Sequence, residues 1–233
     1  MIVNFRGFTL HFACVITIDI KGSRKLKNRA EVQSKILDLL NSLNIKFRDF
    51  LIAEFTMTLG DEFQGVLKTT SVVLDVFKYL EKSLPVGFYC GVGIGSIDTP
   101  LSRKPSEMDG SAFHRSRDAL EEAKKRKVEL VFKSGNEETD FLLNSVTELI
   151  LHVKSKWTKR QKDVINFLES QENVKLSDAA RRFRVSKQAI SKIVRAAGWK
   201  AVRKAEKVVE YYLKMLELGK PVSVYHAKTT TGG

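Results

Sequence analysis

The chain has 233 residues, of which 43% are hydrophobic and 29% charged, which is ordinary for a globular protein. No run of about 18 apolar residues is present and no signal-peptide cleavage site follows the N-terminal segment, so we expect a cytoplasmic protein without membrane spans. The net charge of +13 is uneven, because residues 1–150 contain 21 Lys and Arg against 20 Asp and Glu, whereas residues 151–233 contain 19 against 7. The asymmetry predicts a neutral domain joined to a basic one with a polyanionic partner, although a basic face that serves only solubility is the alternative.

Up to about residue 133, the hydrophobic pattern predicts strands and helices in alternation. The strands alternate apolar and polar residues, and the helices have apolar residues three and four positions apart. In chain order we predict strand 8–20, a helix capped by Asn28, strands 50–59 and 63–68, helix 71–84, strand 86–97, helix 108–127 and strand 128–133. The order β-α-β-β-α-β, then α-β, is typical of a ferredoxin-like α+β domain, which we place at residues 1–150. Cys14 and Cys90 lie in apolar runs and are expected to be buried free thiols.

Beyond residue 136 the sequence predicts only helices. Their predicted positions are 137–153, 157–168, a pair within 176–198, and a last amphipathic helix to about Leu218. We place an all-α domain at residues 151–220, followed by a loose C-terminal tail at 221–233 that has no means of burying itself.

The pair of helices within residues 176–198 has the pattern of a helix-turn-helix. Ala180 supplies the small residue needed where the helices touch, Val185 follows the turn, and Ser186 can cap the second helix. The turn residue takes positive φ and is usually glycine. Arg184 stands there instead, at an expected cost of about 1 kcal/mol.

The outward face of the second helix of this pair carries groups that suit a DNA major groove. Gln pairs bidentately with adenine, and Arg and Lys pair with guanine or contact phosphates. We therefore predict binding to double-stranded DNA through the residues Ser186, Lys187, Gln188, Ser191, Lys192 and Arg195. A helical bundle used for protein contacts is the alternative, against which the local positive charge argues.

Two adjacent carboxylates, Asp61 and Glu62, lie in the segment TLGDEFQG, where a hairpin turn is predicted. Asp19 ends the first predicted strand, and strands one and three are neighbours in a ferredoxin-like sheet. Asp19 and Asp61 should therefore meet at one sheet edge, where their repulsion favours a bound cation. Mg²⁺ or Mn²⁺ suits such a site, because it takes few protein oxygens and leaves positions for water and phosphate.

A basic loop follows the first strand, and its Arg24 and Lys25 could neutralise phosphate charge next to this cation. The alternative is that Asp61 and Glu62 only form the turn. Motifs of other chemistries, such as H-E-x-x-H, C-x-x-C and the phosphate-binding loop G-x-x-x-x-G-K, do not occur.

Four motifs, TIDIKGSRKLKNR, TLGDEFQG, GVGIGSIDT and DGSAFHRSRDAL, closely resemble the SatD family in order and spacing. Together with WTKRQKDVI and the helix-turn-helix, the resemblance covers about residues 12–215. Several separate motifs in the same order make the resemblance specific.

More distantly, the first domain resembles the catalytic palm of GGDEF domains and class III nucleotidyl cyclases. In those enzymes an aspartate that ends the first strand, the next backbone carbonyl and a hairpin acid hold two Mg²⁺ ions. The resemblance implies these roles for Asp19, Ile20 and Asp61. The fold class that it implies is α+β, with a ferredoxin-like nucleotidyl-cyclase-type palm domain followed by an all-α helix-turn-helix domain.

The same resemblance implies contacts to the nucleotide. A lysine that follows the first-strand aspartate in GGDEF domains is matched in charge by Arg24, beside Lys25. A phosphate-contacting lysine of the late helix is matched by Arg117, and the hairpin acid Glu62 completes the predicted nucleotide or phosphate site.

Three departures from the GGDEF pattern bear on the nucleotide base. Leu59 stands at the first glycine of the motif, where the backbone approaches the nucleotide, and the two guanine-reading positions fall on Lys27 and Ile36. Diguanylate synthesis is therefore not expected.

Three functions follow from these interpretations. The leading hypothesis is a DNA-binding regulator whose cyclase-like domain senses a nucleotide or phosphate with Mg²⁺. The alternative is an active nucleotidyl cyclase or nucleotidyltransferase coupled to a helix-turn-helix, and the third is a degenerate palm that serves as a dimer scaffold. A homodimer is expected because the apolar stripe of the last helix, which includes Val202, Val209 and Leu213, is wider than a small DNA-binding unit needs to bury.

Overall fold

The computed structural model of the protein describes residues 10–22, 29–170 and 173–219. Its strands and helices follow the predicted order. They are β1 Leu10–Ile20, α1 Arg29–Phe47, β2 Leu51–Leu59, β3 Glu62–Leu67, α2 Val73–Ser83, β4 Phe88–Ile97, α3 Ser111–Arg126, β5 Leu130–Lys133, α4 Glu137–Ser155, α5 Lys159–Leu168, α6 Leu176–Phe183, α7 Lys187–Ala196 and α8 Trp199–Glu217. The predicted cap at Asn28 and the tail 221–233 lie outside the described residues.

The chain has a mixed α+β fold with one five-stranded sheet. The strand order is β2-β3-β1-β4-β5. β1 pairs antiparallel with β3 and β4, β2 pairs antiparallel with β3, and β5 is parallel to β4. The expectation that strands one and three are neighbours is confirmed. The register places Asp19 opposite Glu62 on one side and opposite Tyr89 on the other.

Helix α3 packs on β4 through a row of glycines. A Cβ added to Gly93 would overlap the carbonyl oxygen of Ala112 and the amide nitrogen of Ser116, and one added to Gly91 would overlap the backbone of Ser116 and Leu120. Glycine is required here because the helix backbone occupies the space of a side chain. The glycines of GVGIG therefore leave a groove on the face of β4. Helix α3 packs into this groove and runs antiparallel to the strand.

A chain of buried hydroxyl and amide groups links β3, β1 and α3. Gln64 Nε2 donates to Thr17 Oγ1 at 2.7 Å, and the Thr17 hydroxyl lies 2.9 Å from Ser116 Oγ. Ser116 in turn donates to the carbonyl oxygen of Phe113 at 2.9 Å. Because Gln64, Thr17 and Ser116 each have a partner, the hydrogen bonds offset the cost of burying these three polar side chains. The network fixes how α3 lies over the end of β1.

The described residues divide into two compact units. The first, here called the sheet unit, comprises the described part of Met1–Asn144 and of Glu210–Gly233. The second, the helical unit, is Ser145–Val209. Whether residues 1–150 and 151–220 fold as independent domains stays a prediction.

The helical unit has its own apolar core, built by α5, α6 and α7. Its fully or nearly buried members are Val164, Leu168, Ala179, Ile190 and Val194. Arg184, between α6 and α7, has φ 52° and ψ 47°, so the predicted positive φ at this residue is confirmed. Ser186 caps α7, since its hydroxyl accepts from the backbone amide of Ala189 at 3.1 Å. Ala179 is more deeply buried than Ala180, which packs at the edge of this core.

The C-terminal end of α8 is tied to the loop before α2 within the sheet unit. Glu217 Oε2 accepts from the amide of Thr70 at 3.0 Å and from the hydroxyl of Thr69 at 2.8 Å. The Thr70 hydroxyl also lies 2.9 Å from the carbonyl oxygen of Leu213. Val202, Val209 and Leu213 of the apolar stripe are buried within the chain. The homodimer inferred from that stripe stays a prediction.

Both thiols, Cys14 and Cys90, are buried and free, as predicted, and burial raises the pKa of each. Of the helices in the described part of the chain, none combines the length and the apolar composition required to cross a membrane.

We predict that Gly93→Ala destabilises the protein by about 3 kcal/mol, because the added methyl group must push the backbone of α3 away from β4. Gly87→Ala is the matched control, since its Cβ would meet only the flexible end of Lys21, at 3.2 Å. Urea unfolding followed by circular dichroism measures both variants. Equal free energies of unfolding for the two variants would contradict the close packing of α3 on β4.

Candidate functional site

The two predicted metal ligands lie at the same end of the sheet. Asp19 is the second-last residue of β1, and Asp61 lies in the turn between β2 and β3, where Gly60 has φ 63°. Asp61 directly precedes Glu62, whose Cα is the partner of Asp19 in the β1–β3 register. The Asp61 carboxylate is also one of the charges that raise the pKa of Asp19, so the two acids interact. The hairpin therefore places Asp61 at the same end of the sheet as Asp19.

Asp19 is held in a partly desolvated and charged environment. Its side chain is 21% exposed, and burial is the largest cause that raises its pKa. Lys124 opposes this increase from a distance of 3.3 Å between Nζ and Oδ2, while Asp61 and Glu121 raise the pKa further. The proton affinity of Asp19 is thus higher than that of an ordinary aspartate. A cation would compete with that proton.

Among the described residues, Lys124 forms an ion pair with this carboxylate, and the sequence did not single it out. Its Nζ lies 3.1 Å from Glu121 as well as 3.3 Å from Asp19, and these two acids raise its pKa despite partial burial. The signal was present, because Ser116 and Leu120 form the buried face of α3 and Lys124 continues that face by one turn. Recognising it required knowing that α3 lies antiparallel on β4.

Lys21, two residues after Asp19, is a second cation at this end of the sheet. Its Nζ lies 4.4 Å from the centre of the Tyr89 ring and 3.9 Å from Glu129. Both contacts are long and the side chain is 31% exposed, so Lys21 can turn towards a ligand at little cost.

The remaining predicted residues of this site differ in their exposure and contacts. Glu62 is oriented by Thr58, whose hydroxyl lies 3.1 Å from Oε1. The Ile20 side chain is buried, so only its backbone carbonyl could face a metal. Arg117 is exposed on α3. Arg24 and Lys25 lie outside the described residues. Within the described ranges, no group of three or more His, Cys, Asp and Glu side chains is arranged to hold a metal ion.

Helix α7 presents most of the side chains predicted to contact DNA. Lys187, Gln188, Lys192 and Arg195 are exposed, whereas Ser191 is half-buried. The first turn of α7 contains no acidic residue. Ser186 is exposed, but its hydroxyl is engaged in the helix cap. The arrangement leaves one polar and basic helix face turned to solvent.

The family model described as SatD family (SatD) matches residues 13–212. The chain belongs to the SatD family. No curated protein matches its sequence. The SatD assignment covers both the sheet unit and the helical unit.

Among solved structures, the SatD-family chain is similar to a bacterial light-regulated adenylyl cyclase at 14% identity and a TM-score of 0.39, covering 52% of this chain and 75% of that one. It is similar to the dimeric guanylyl cyclase domain of the RhoGC fusion protein from the aquatic fungus Blastocladiella emersonii at 11% identity and a TM-score of 0.37, covering 49% and 75%. A microbial GGDEF domain studied with bis-(3,5)-cyclic di-GMP matches at 15% identity and a TM-score of 0.38, covering 53% and 78%. At this level of similarity a shared activity does not follow.

For the SatD-family protein we predict opposite shifts of the Asp19 pKa in two variants. Asp61→Asn should lower it, because a negative charge that raises it is removed. Lys124→Gln should raise it, because the lysine stabilises the carboxylate. Carboxyl-carbon NMR titration of the folded protein measures both, with Asp49→Asn as the exposed control. An Asp19 titration that is unchanged in Asp61→Asn would show that the two acids do not converge.

Proposed function

We propose that the sheet unit binds the phosphates of a nucleotide together with Mg²⁺ or Mn²⁺, and acts as a nucleotidyl cyclase or nucleotidyltransferase. The observation that carries the proposal is the interaction of the Asp19 and Asp61 carboxylates at one end of the β1–β3 pair. Two carboxylates that lie at one partly buried place repel each other when both are charged. A divalent cation between them removes that repulsion.

The donors present at this place fit a hard cation. Asp19 and Asp61 offer carboxylate oxygens, and the backbone carbonyl of Ile20 would be the third donor. Mg²⁺ accepts one or two carboxylates and fills its remaining positions with water and phosphate oxygens. Such an ion would neutralise phosphate charge and polarise the phosphorus–oxygen bonds. Two acids and a carbonyl are therefore enough without a third acidic side chain.

The basic residues around the two acids would position the phosphates. Lys124 and Lys21 are within reach of the same end of the sheet, and each is held by acids through contacts of 3.1 to 3.9 Å. Arg24, Lys25 and Arg117 are further candidates on the grounds of sequence alone. Glu62 carries a negative charge, so it would contact phosphate only through a cation or else orient a ligand hydroxyl.

This proposal does not specify which nucleotide base is recognised. The guanine-reading positions of GGDEF domains correspond to Lys27 and Ile36, and Leu59 replaces a glycine of that motif. Phosphate and metal recognition therefore form the core of the proposal, and ATP and GTP must be compared directly.

We predict that the full chain binds Mn²⁺ and a non-hydrolysable nucleoside triphosphate, and that Asp19→Asn and Asp61→Asn each weaken Mn²⁺ binding at least about tenfold. Affinity should also fall as pH is lowered towards the raised pKa of Asp19, because the proton competes with the metal. Isothermal titration calorimetry measures both effects, and Asp49→Asn, at an exposed surface ion pair, is the matched control.

Labelled ATP and GTP with Mg²⁺ or Mn²⁺ then distinguish the enzyme from a sensor. A cyclic or transferred nucleotide product supports the enzymatic proposal. Binding without turnover supports the alternative of a nucleotide-sensing regulator, and the absence of metal binding in the wild-type protein would refute both.

As a second function, we propose that the helical unit is a helix-turn-helix that binds double-stranded DNA through α7. The observation that favours it is a capped helix with four exposed polar or basic side chains after a tight turn at Arg184. Gln188 and Arg195 have the donors and acceptors that read base edges, while lysines contact phosphates. In this reading the protein joins a nucleotide domain to a DNA-binding one.

We predict that Lys192→Ala with Arg195→Ala weakens binding to duplex DNA and makes the salt dependence shallower by about 1.8 in log–log slope, at about 0.9 for each phosphate contact that is lost. Fluorescence anisotropy of a labelled duplex at several salt concentrations measures both changes. Lys82→Ala with Lys125→Ala removes two exposed charges from the sheet unit and should leave the slope unchanged. If the α7 variant binds as the wild type does, the assignment of α7 is wrong.

A further inference from the structure

The first half of α8 carries a row of basic residues next to an open cleft. Lys200, Arg203, Lys204 and Lys207 follow the spacing i, i+3, i+4 and i+7, which places them on one face of the helix. With Trp199 they line a cleft of about 370 Å³ that lies within the helical unit. None of these residues belongs to the face of α7 described above.

Within the described residues, three of the four charges in this row are not neutralised by an ion pair, unlike those of Lys35 and Lys124. In α1 and α3 the basic residues Lys35 and Lys124 have acidic partners three or four positions away. Lys200, Lys204 and Lys207 are exposed, and in the described part of the chain none of the three lies within ion-pair distance of an acidic side chain. A row of like charges on one helix face is unfavourable by itself and becomes favourable against a polyanion.

The position of the row in the helix strengthens this argument. The first turn of α8 contains no acidic residue, although acids are the residues that stabilise a helix N-terminus. Lys200 lies in that turn, so its charge opposes the positive end of the helix dipole. The same arrangement makes the helix start a favourable place for an anion.

Two contacts fix the row in place. The Trp199 indole donates from Nε1 to Glu169 Oε1 at 2.6 Å, and Val202 and Val209 bury the opposite side of the helix. Arg203 is paired at 3.0 Å with Glu206, which is itself only 4% exposed. The cleft wall is thus held by buried Val202, Val209 and Glu206 and by the exposed bond of Trp199 to Glu169, while three lysine side chains remain available.

We propose that this cleft binds the phosphodiester backbone of duplex DNA, as a contact separate from α7. The proposal rests on the proposed DNA binding of the helical unit and names where a second part of the DNA would lie. From Lys200 to Lys207 the helix rises about 10.5 Å, which matches about three nucleotide steps of one strand. Lysine contacts to phosphate oxygens position a protein on the duplex and carry no sequence information.

Trp199 favours a duplex over a single strand. Aromatic residues that bind single strands present a free ring face on which bases stack. The Trp199 ring is half-buried in the packing of the helical unit, and its only polar atom already donates to Glu169. It forms a wall of the cleft and does not offer a stacking platform.

The test compares full-length variants by fluorescence anisotropy of a labelled duplex between 50 and 200 mM salt. Lys200→Gln, Lys204→Gln and Lys207→Gln together should make the log–log salt slope shallower by about 2.7, which changes the loss of affinity over this range by about 40-fold. The effect should be equal for duplexes of unrelated sequence. Lys68→Gln, Lys82→Gln and Lys125→Gln, which remove three exposed charges from the sheet unit, should leave the slope unchanged.

The possible results distinguish the proposed DNA binding from the proposed role of the α8 cleft. A wild-type chain that binds no duplex DNA refutes the proposed DNA binding and this inference with it. A wild type that binds DNA, with the α8 triple variant showing the wild-type slope, overturns only this inference and leaves the role of α7 standing. If the slope changes with an RNA duplex of the same length but not with DNA, the assignment of the cleft to DNA is wrong.

Discussion

The close approach of α3 to β4 is the constraint on which the candidate site of the sheet unit depends. No side chain fits between the two backbones at Gly91 and Gly93, so the helix is set at a fixed height and direction over the strand. Because α3 runs antiparallel to β4, its C-terminal turn reaches the end of the sheet where Asp19 lies. Lys124 is brought to that carboxylate by the same packing. A change in the glycine row would therefore alter the electrostatics of a site to which the glycines themselves contribute no charge.

The ion pair of Asp19 and Lys124 favours the charged form of both partners, but burial makes the net pKa shift of Asp19 unfavourable to its charged form. The pKa of Asp19 is raised above the ordinary 3.8, so between that value and its folded pKa the folded protein binds more protons than the unfolded chain. Stability contributed by Asp19 is then lost as pH rises through this window. The pKa of Lys124 is raised above 10.5, so its stabilising contribution is fully present below that value and is lost only as pH rises through the folded pKa. At neutral pH the ion pair stabilises both charged groups, but for Asp19 the unfavourable effect of burial is the larger one.

Local patterns were enough to predict the order of strands and helices, the neighbouring positions of β1 and β3, and the positive φ of Arg184. The element order and the positive φ depend on hydrophobic periodicity or turn chemistry within a few residues, whereas the pairing of β1 with β3 followed from the ferredoxin-like topology that the element order indicates. The contact of Lys124 with Asp19 joins residues separated by about a hundred positions, and it depends on how a helix packs over a sheet. The hydrogen bond from the Thr70 amide to Glu217 also joins residues that are distant in sequence, because a carboxylate at the end of the last helix accepts from a loop amide. Lys124 continues the buried face of α3, but the sequence does not show which strand end that face covers, and nothing in it marks Glu217 as the partner of Thr70.

The two proposed binding places differ in how their positive charges are already used. At the end of the sheet, Lys124 is engaged by two acids and Lys21 only weakly by Glu129, so an anionic ligand competes chiefly with the partners of Lys124. In the proposed site, a divalent cation would reduce that competition, because it would take the place of Lys124 as the partner of Asp19. On α8, three lysines have no such competitor among the described residues, and only small ions must be released when a polyanion binds. Binding at the sheet should therefore depend chiefly on the metal and on pH, whereas binding at the helical unit should depend chiefly on salt.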